Sequence, residues 1–303
     1  MIDFQRPKTS HQGSYNQVLF SVPERGCEYS FANLSLWGRQ SIAFLDGCVA
    51  IFSHFYGKSV YPYPIGNGDK KAVIEALIAD SHQRGIPLRL TGITELDKQE
   101  LETLFPDRFH IRASRNSFDY VYDIHDLSDL RGRKFQKKRN HFNRFQANHP
   151  NYKVVPLDCS NLNRVQNMIN DWYITRRSWD PHGDYLLESL ALAKAFRYRE
   201  ALELEGLALM DGEEVLAVTL ASRLREDTFD IHFEKAREDV DGAYTAINCE
   251  FARYLRQKYP EVAYLNREDD VGLEGLRKAK LSYNPHHMVE KYIANLQEDL
   301  DED

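Results

Sequence analysis

The sequence predicts a mixed α/β fold whose element order occurs twice along the chain. Its 303 residues are enough for two domains of about 150 residues, each with its own hydrophobic core. Each half carries a hairpin with an Asp-Gly turn, at Asp46-Gly47 and at Asp211-Gly212, followed by a strand, a helix and a further strand. The turns are 165 residues apart, and the strands that begin at residues 88 and 262 are 174 apart. This nearly constant offset indicates an internal duplication.

Hydrophobic periodicity and turn residues define the elements of the first half. Its longest predicted helix spans residues 69–84, with Val73, Leu77 and Ile78 on the apolar side and Gly85 at the end. The remaining predicted elements are a helix at 29–37, hairpin strands at 42–45 and 49–52, strands at 60–63 and 88–90, a short helix from about Asp97 to residue 104, and a closing strand at 118–124.

The second half begins with a strand and two helices and then repeats the order of the first half. The first of these helices places its large apolar residues on one face, namely Leu162, Val165, Ile169, Trp172 and Tyr173. The other predicted elements are a strand at 152–157, a helix at 184–199, hairpin strands at 206–210 and 215–220, a strand at 229–233, a helix at 242–258, a strand at 262–265, a helix at 273–281 and a closing strand at 288–293. Periodicity therefore predicts a mixed sheet with flanking helices in each half.

Composition places the chain among ordered globular proteins. Hydrophobic residues make up 42% of the chain, and the net charge of -7 argues against a general nucleic-acid binder. The N-terminus lacks the apolar core of a signal peptide, and no run approaches the roughly 18 apolar residues of a membrane span. These features predict a cytoplasmic protein without a transmembrane segment.

Cysteine and histidine spacing does not indicate a metal site. The four cysteines form no Cys-x-x-Cys pair, and the eleven histidines form no His-x-x-x-His or His/Cys cluster. His286 and His287 adjoin on a predicted strand, where neighbouring side chains point to opposite faces. We therefore expect no metal ligand, no disulfide framework and no metal catalysis.

The segment from Asn266 to Pro285 carries more polar chemistry than any other part of the chain. The strand predicted at 262–265 runs out into a loop with one amide and three carboxylates, and ligand sites favour such strand ends. In the helix that follows, Arg277 and Lys280 lie three residues apart and can face one ligand. The polar loop residues are Asn266, Glu268, Asp269 and Asp270.

A purely structural interpretation of the same segment competes with the functional one. In it Asp270 caps the helix, Glu274 pairs with Lys278 four residues on, and the remainder is a solvated turn. This interpretation explains less well why three carboxylates, two cations and Tyr283 gather in one loop and helix.

The segment resembles a signature of the soluble relatives of the phosphatidylglycerol lysyltransferase C-terminal domain. That signature reads Asn-x-Glu-x-Asp-x-Gly, matched from Asn266 to Gly272, and then Gly-Leu-Arg-x-x-Lys-x-Ser-Tyr-x-Pro, matched from Gly275 to Pro285. Further matches lie at 28–37, 63–66 and 134–143, so the resemblance covers nearly the whole chain. It implies two tandem GNAT-like (N-acetyltransferase-like) domains, a degenerate one at 1–128 and a second at 129–303 that starts with a basic linking helix at 129–148.

The resemblance also implies an aminoacyl or acyl transferase. Such chemistry needs a base that takes the acceptor's proton and an acid that protonates the leaving group. Glu268 or Asp270 is the expected base, and Tyr283 the expected acid, because its place after the helix is similar to that of the acid tyrosine of many GNAT enzymes. Donor-binding roles are expected for Asn266, Arg277 and Lys280.

A basic stretch at 131–145 joins the two halves. Phe135, Phe142 and Phe145 are spaced to seat one side of a helix, and the opposite side is basic. Such a surface on an acidic protein suits tRNA phosphates, a lipid headgroup or a phosphorylated donor, although a solvated interdomain helix gives the same pattern. The donor-binding candidates on it are Lys134, Lys137, Lys138, Arg139 and Asn140.

Two glycine-containing loops are candidate phosphate sites. Gly66-Asn67-Gly68 precedes a helix, but Asp69 opposes an anion and fits better as the N-cap. The segment 237–243 takes the place of the acyl-CoA pyrophosphate loop of GNAT enzymes, but three acids in it repel pyrophosphate, namely Glu238, Asp239 and Asp241. We therefore expect weak acetyl-CoA binding and no required cofactor, with acyl-CoA or aminoacyl-tRNA as the candidate donors.

Three functions remain open from the sequence. The first is the transferase, with tRNA or a phosphorylated small molecule as donor and peripheral lipid contact still compatible. The second is a catalytically inactive GNAT pair that binds RNA or a nucleotide, and the third is a CoA-dependent N-acetyltransferase.

Overall fold

The structure is a computed structural model that describes residues 1–55, 57–176 and 184–299. Contacts divide the chain into two compact units. The first comprises Met1–Asp119, Asp269–Leu273 and Met288–Asp303, and the second comprises Tyr120–Glu268 and Glu274–His287. Among the helices of the described residues, none combines the length and apolar character needed to cross a membrane.

The first unit is built on a mixed sheet. Its strands are β1 (Gln40–Leu45), β2 (Cys48–Phe55), β3 (Lys58–Pro62), β4 (Ile65–Gly66), β5 (Arg89–Ile93), β6 (Phe109–Ala113) and β14 (Tyr292–Leu296). Their order is β1-β2-β3-β5-β14-β6 with β4 paired to β2, and only β3 and β5 are parallel neighbours in it. The helices are α1 (Gln12–Phe20), α2 (Phe31–Leu36), α3 (Lys70–Arg84) and α4 (Glu95–Leu104).

The second unit is built on a second mixed sheet. Its strands are β7 (Asp119–Asp123), β8 (Lys153–Pro156), β9 (Glu205–Asp211), β10 (Glu214–Arg225), β11 (Thr228–Ala236), β12 (Tyr264–Asn266) and β13 (His287–Val289), in the order β13-β7-β12-β11-β10-β9-β8. The helices are α5 (Ile124–Asp129), α6 (Gln136–Asn148), α7 (Leu162–Arg176), α8 (Asp184–Tyr198), α9 (Ala243–Lys258) and α10 (Glu274–Leu281). Two mixed sheets with flanking helices confirm the predicted fold class.

Local turn and cap chemistry explains why the predicted elements form. Asp46 and Gly47 have φ values of 45° and 76°, as the tight turn between β1 and β2 requires. Asp69 accepts a hydrogen bond from Ala72 N (3.0 Å) at the start of α3, and Gly85 ends that helix with φ 66°. Asp69 is thus an N-cap, as the sequence predicts.

The sequence predicts that each half is closed by a strand of its own sheet. In the structure β7 and β14 each join the sheet of the other half. The strand predicted to close the first half is β7, which pairs antiparallel with β12 in the second sheet. The strand that follows β13 near the C-terminus is β14, which lies between β5 and β6 in the first sheet. Apolar alternation identifies a strand but not its partner, so the units defined by contacts do not follow the predicted boundary at residues 128 and 129.

The pairing of β11 with β12 positions the region that the sequence singled out. These parallel strands share only three residue pairs, the last of which is Asp230 with Asn266. Beyond that pair β11 continues to Ala236 beside β10, while the backbones of Arg267 and Glu268 stay hydrogen-bonded to Tyr120 of β7. The helix α9 packs against β10 and β11 with Ile247, Phe251 and Leu255 buried. Polar side chains at the end of β12 therefore lie beside a gap between parted strands.

Candidate functional site

Asn266 and Glu268 form a tight polar turn directly after β12. Asn266 is buried, and its Oδ1 accepts a hydrogen bond from Glu268 N (2.7 Å). Glu268 has φ 56°, a left-handed conformation that the turn imposes. Its side chain is 26% exposed, and Oε1 lies 3.6 Å from His232 Nδ1. Asn266 thus orients Glu268, and Glu268 keeps access to solvent.

Asp270 is a buried organiser of the next turn. It is 0% exposed, its Oδ1 accepts from Gly272 N (2.9 Å), and its Oδ2 lies 3.3 Å from Arg115 Nη1. The contacts of Asp270 lie in the first unit, and α10 begins only at Glu274, which pairs with Lys278 at 2.6 Å. The Glu274–Lys278 pair of the structural interpretation is therefore present, but the side chain of Asp270 orders the turn at Gly272 instead of capping α10.

A buried ion pair that sequence analysis did not single out lies at the parted strands. Arg267 Nη2 donates to Glu234 Oε1 at 2.8 Å, with side-chain exposures of 14% and 11%. Asn248 Nδ2 of α9 donates to Glu234 Oε2 (3.4 Å). Burial by itself lowers the pKa of Arg267, but the Glu234 carboxylate more than offsets that effect, so the pKa is raised. Glu234 is one of several polar residues of β11, so its charge alone gave no distinguishing signal in the sequence.

Tyr283 is held at the centre of this region. Its hydroxyl donates to Thr245 Oγ1 of α9 (3.3 Å), and its ring makes an edge contact with Tyr122. The guanidinium of Arg267 lies 4.9 Å from the ring centroid, and Lys138 Nζ lies 3.7 Å from it. Burial raises the pKa of Tyr283, so its hydroxyl stays protonated at neutral pH. The structure thus brings Lys138 and Tyr283 together.

The two predicted cations of α10 have different environments. Lys280 is 9% exposed, and its Nζ donates to Arg267 O (2.5 Å). Its own carbonyl accepts from the hydroxyl of Tyr122 (2.8 Å). Arg277 is only partly buried on the same helix. Lys280 therefore ties α10 to the turn after β12, while the role of both residues in donor binding stays a prediction.

The helix α6 carries the basic stretch, with Phe135, Phe142 and Phe145 buried as the sequence predicts. Lys134 Nζ lies 2.6 Å from Asp126 Oδ2, and Arg139 Nη1 donates to the carbonyls of Leu130 and Gly132, the latter at 2.6 Å. These two cations therefore have partners within the unit. The exposed face of the helix forms a shallow concave surface lined by Lys137, Asn140, His141, Asn143 and Arg144.

The loop before α9 has the acidic character that the sequence predicts. Arg237 donates to Asp239 at 3.0 and 2.6 Å and to Glu214 Oε2 at 3.1 Å, so its charge is compensated locally. The loop borders a cavity of about 610 Å³ between α7 and β10. The charged residues that line this cavity are two arginines, Arg164 and Arg237, and five acids, Asp171, Glu213, Glu214, Glu238 and Asp239. Such a lining repels a pyrophosphate.

A cluster in the first unit has ligand-like groups but is already filled by an ammonium. Cys27, Glu28 and Asp119 each direct a donor atom towards one point. Lys291 Nζ lies 2.5 Å from Glu28 Oε2 and 2.7 Å from Asp119 Oδ1. The buried ammonium pairs with both carboxylates, so this cluster is an ion-pair network.

Comparison with known proteins identifies a family to which the sequence is similar. The family model described as phosphatidylglycerol lysyltransferase, C-terminal, matches residues 20–295. An uncharacterized protein of Mycoplasmoides gallisepticum is 25% identical over 185 residues, which are 60% of this chain and 57% of that protein. The match thus spans little more than half the length of this curated relative.

Solved structures share the fold. A conserved protein of unknown function from Bacteroides thetaiotaomicron is 34% identical, with a TM-score of 0.92 over 98% of this chain and 100% of that one. L-PGS from Bacillus licheniformis has a TM-score of 0.69 over 98% and 94% of the two chains at 15% identity. A tandem GNAT protein of the clavulanic acid pathway has a TM-score of 0.52 over 97% of each chain at 8% identity. These similarities confirm the predicted tandem GNAT-like fold.

We expect the amine of Lys138 to titrate near pH 8 in the folded protein. Burial, followed by the charge of Arg267, lowers its pKa to about 8, whereas an unfolded chain has the ordinary lysine value of about 10.4. Between these pH values the unfolded chain binds more protons, so this group makes the fold more stable as the pH rises. Lys138→Met should lack that gain. Amine labelling with mass spectrometry, on folded and urea-unfolded protein, measures both midpoints, and equal midpoints would contradict the geometry.

Proposed function

Because the chain belongs to the family of the phosphatidylglycerol lysyltransferase C-terminal domain, we propose that it transfers an aminoacyl or acyl group from an activated donor to an amine or hydroxyl. The environment of Tyr283 is the main observation in support of this proposal. Its buried hydroxyl keeps its proton, and Lys138 and Arg267 lie against its ring. When the bond between the acyl carbon and the leaving atom breaks, that atom needs a proton, and Tyr283 supplies it.

Glu268 is the base that we propose for the acceptor. The acceptor nitrogen or oxygen bonds to the acyl carbon while the carboxylate of Glu268 takes its proton. Solvent access favours Glu268 over Asp270, since Glu268 is 26% exposed. Asp270 is 0% exposed, and its oxygens are engaged by Gly272 N and Arg115. An engaged and buried carboxylate is poorly placed to meet an acceptor from solution.

We propose an anionic donor that contacts the exposed face of α6. Lys137 and Asn140 line that face, and Lys138 leads from it to Tyr283. The family name describes transfer of a lysyl group, and aminoacyl-tRNA combines an activated amino acid with many phosphates. Aminoacyl-tRNA is therefore the first candidate donor, and acyl-CoA is the second.

The second candidate function is a module that binds RNA or a nucleotide without turnover. The ion pair of Glu234 with Arg267 favours this function, because the pair lies where β11 and β12 stop pairing, which is where a substrate would have to bind. Saturable binding of a donor that is never consumed, in the presence of amine and hydroxyl acceptors, would support this module against the transferase.

We expect charged tRNA to raise the melting temperature of the protein more than acetyl-CoA does. Arg237 is neutralised by Asp239 and Glu214, so the loop before α9 offers little attraction to pyrophosphate. A ligand-stability screen with acetyl-CoA, longer acyl-CoAs, charged tRNA and uncharged tRNA tests this expectation. Micromolar affinity for acetyl-CoA in a calorimetric titration would instead identify a CoA-dependent N-acetyltransferase.

We expect Glu268→Gln to lower turnover by about 100-fold or more at nearly unchanged donor affinity, because the shape is kept and the basicity is lost. Asp270→Asn should instead lower the melting temperature, since its partners Arg115 and Gly272 N are structural. Turnover is measured as loss of the labelled acyl group from the donor with a panel of amines and alcohols. Glu274→Gln, which alters an exposed ion pair, is the matched control. Unchanged turnover in Glu268→Gln would remove the base from the mechanism.

We expect Lys137→Ala to weaken binding of an RNA donor and to reduce the slope of log affinity against log salt by about one unit. Lys137 is exposed on the concave face of α6. Lys134→Ala is the control on the same basic stretch, because Lys134 is engaged by Asp126 and should change the slope less. Filter binding across salt concentrations measures both slopes. Equal slopes for wild type and Lys137→Ala would exclude a phosphate contact of this residue.

A further inference from the structure

Three strands bring together a polar cluster that no spacing in the sequence reveals. Ser222 lies on β10, Asp230 and His232 lie on β11, and Glu268 follows β12. Ser222 Oγ is 2.7 Å from His232 Nε2. On the other side of the ring, Nδ1 lies 3.4 Å from Asp230 Oδ2 and 3.6 Å from Glu268 Oε1. One donor atom from each of Asp230, His232 and Glu268 lies within 4.8 Å of the other two.

The imidazole nitrogen that faces the carboxylates is buried and lacks a hydrogen bond within the described part of the chain. His232 is 6% exposed, and its Nδ1 has no hydrogen-bond partner among residues 1–55, 57–176 and 184–299. Asp230 Oδ2 lies 3.4 Å from this nitrogen and Glu268 Oε1 lies 3.6 Å from it, and neither oxygen accepts a hydrogen bond from it.

Ser222 can accept a hydrogen bond from the histidine tautomer that binds metals. When Nε2 carries the proton and donates it to Ser222 Oγ, Nδ1 presents a lone pair to the two carboxylates. Three electron-rich atoms then face one point, an arrangement that a cation stabilises. Histidines that bind metals commonly donate their second ring N–H to an oxygen, and Ser222 takes that position here.

The spacing also fits a small divalent ion. Zinc bonds to imidazole nitrogen and carboxylate oxygen of about 2.0–2.2 Å place two ligands of a tetrahedron about 3.3–3.6 Å apart. The distances of 3.4 and 3.6 Å fall in that range. Ligands of an octahedral Mg²⁺ would be closer, at about 2.8–3.0 Å. We propose that Asp230, His232 and Glu268 bind a divalent transition-metal cation such as Zn²⁺, with a fourth position open to an exogenous ligand.

Because Glu268 is partly exposed, the ion can reach the site from solvent. The open fourth position would let the ion bind a water or an acceptor. A zinc-bound water loses a proton near neutral pH. If the proposed transferase function holds, the ion would lower the pKa of an acceptor bound there, while Glu268 would hold the ion with one carboxylate oxygen and take the acceptor's proton with the other. Metal binding itself does not depend on that function.

The test is an isothermal titration of the chelator-treated full-length protein with ZnCl₂ alone. We expect one ion per chain, with binding about 100-fold weaker in His232→Gln and Glu268→Gln and about 10-fold weaker in Ser222→Ala. Replacement by Co²⁺ should give the visible spectrum of a tetrahedral site in wild type and not in His232→Gln or Glu268→Gln. Circular dichroism of each metal-free variant checks folding. Glu268→Gln decides the question if His232→Gln does not fold, because Glu268 lies at the exposed edge.

A second histidine pair supplies the matched control. His286 Nδ1 lies 3.0 Å from His287 Nδ1 at an exposed site, rather than on the opposite face as predicted, because β13 begins only at His287. The variant with both changed to Ala should keep full affinity. Absence of saturable binding in wild type, unchanged affinity in Glu268→Gln, or loss only in the His286 and His287 variant would overturn the proposal. Because no donor or acceptor is present, this result is independent of whether the protein proves to be a transferase.

Discussion

The buried ion pair between Glu234 and Arg267 is the interaction on which the arrangement of the second unit's site depends. The strands that carry these residues stop pairing at Asp230 and Asn266, and the ion pair joins them beyond that point. Removing one partner of such a buried pair typically costs about 3–5 kcal/mol, because the other charge is left without compensation. The same arginine presents its carbonyl to Lys280 and its guanidinium to the ring of Tyr283. Arg267 therefore links the ion pair to α10 and to the tyrosine that follows this helix.

Two adjacent residues after β12, Arg267 and Glu268, contact different partners. Arg267 contacts Glu234 and Tyr283, whereas Glu268 contacts His232. The positive φ of Glu268 separates the two directions. One short turn in the second unit thus reaches both Tyr283, through Arg267, and His232, through Glu268.

Sequence patterns predicted the local features of this protein better than its polar partners. The hairpin turns, the cap at Asp69 and the apolar side of α6 depend on neighbours in the chain, so they could be read directly. Lys138 and Tyr283 are far apart in sequence, and no periodicity indicates that they meet. Asp230, His232 and Glu234 were missed because a polar residue on a strand normally indicates its solvent face. Lys280 was identified by charge, yet burial turns it towards a backbone carbonyl, which satisfies an ammonium where water is scarce.

The place of β14 has a consequence for the time at which the first unit can fold. Its sheet joins β5 and β6 only through a strand made of Tyr292–Leu296, almost two hundred residues further along the chain. Pairing over such a separation closes a long loop and is slow. During synthesis the edges of β5 and β6 stay uncovered until the whole second unit has left the ribosome. Most of the first unit is therefore synthesised first, but its sheet is completed only after the second unit has been made. Its open strand edges need protection in that interval.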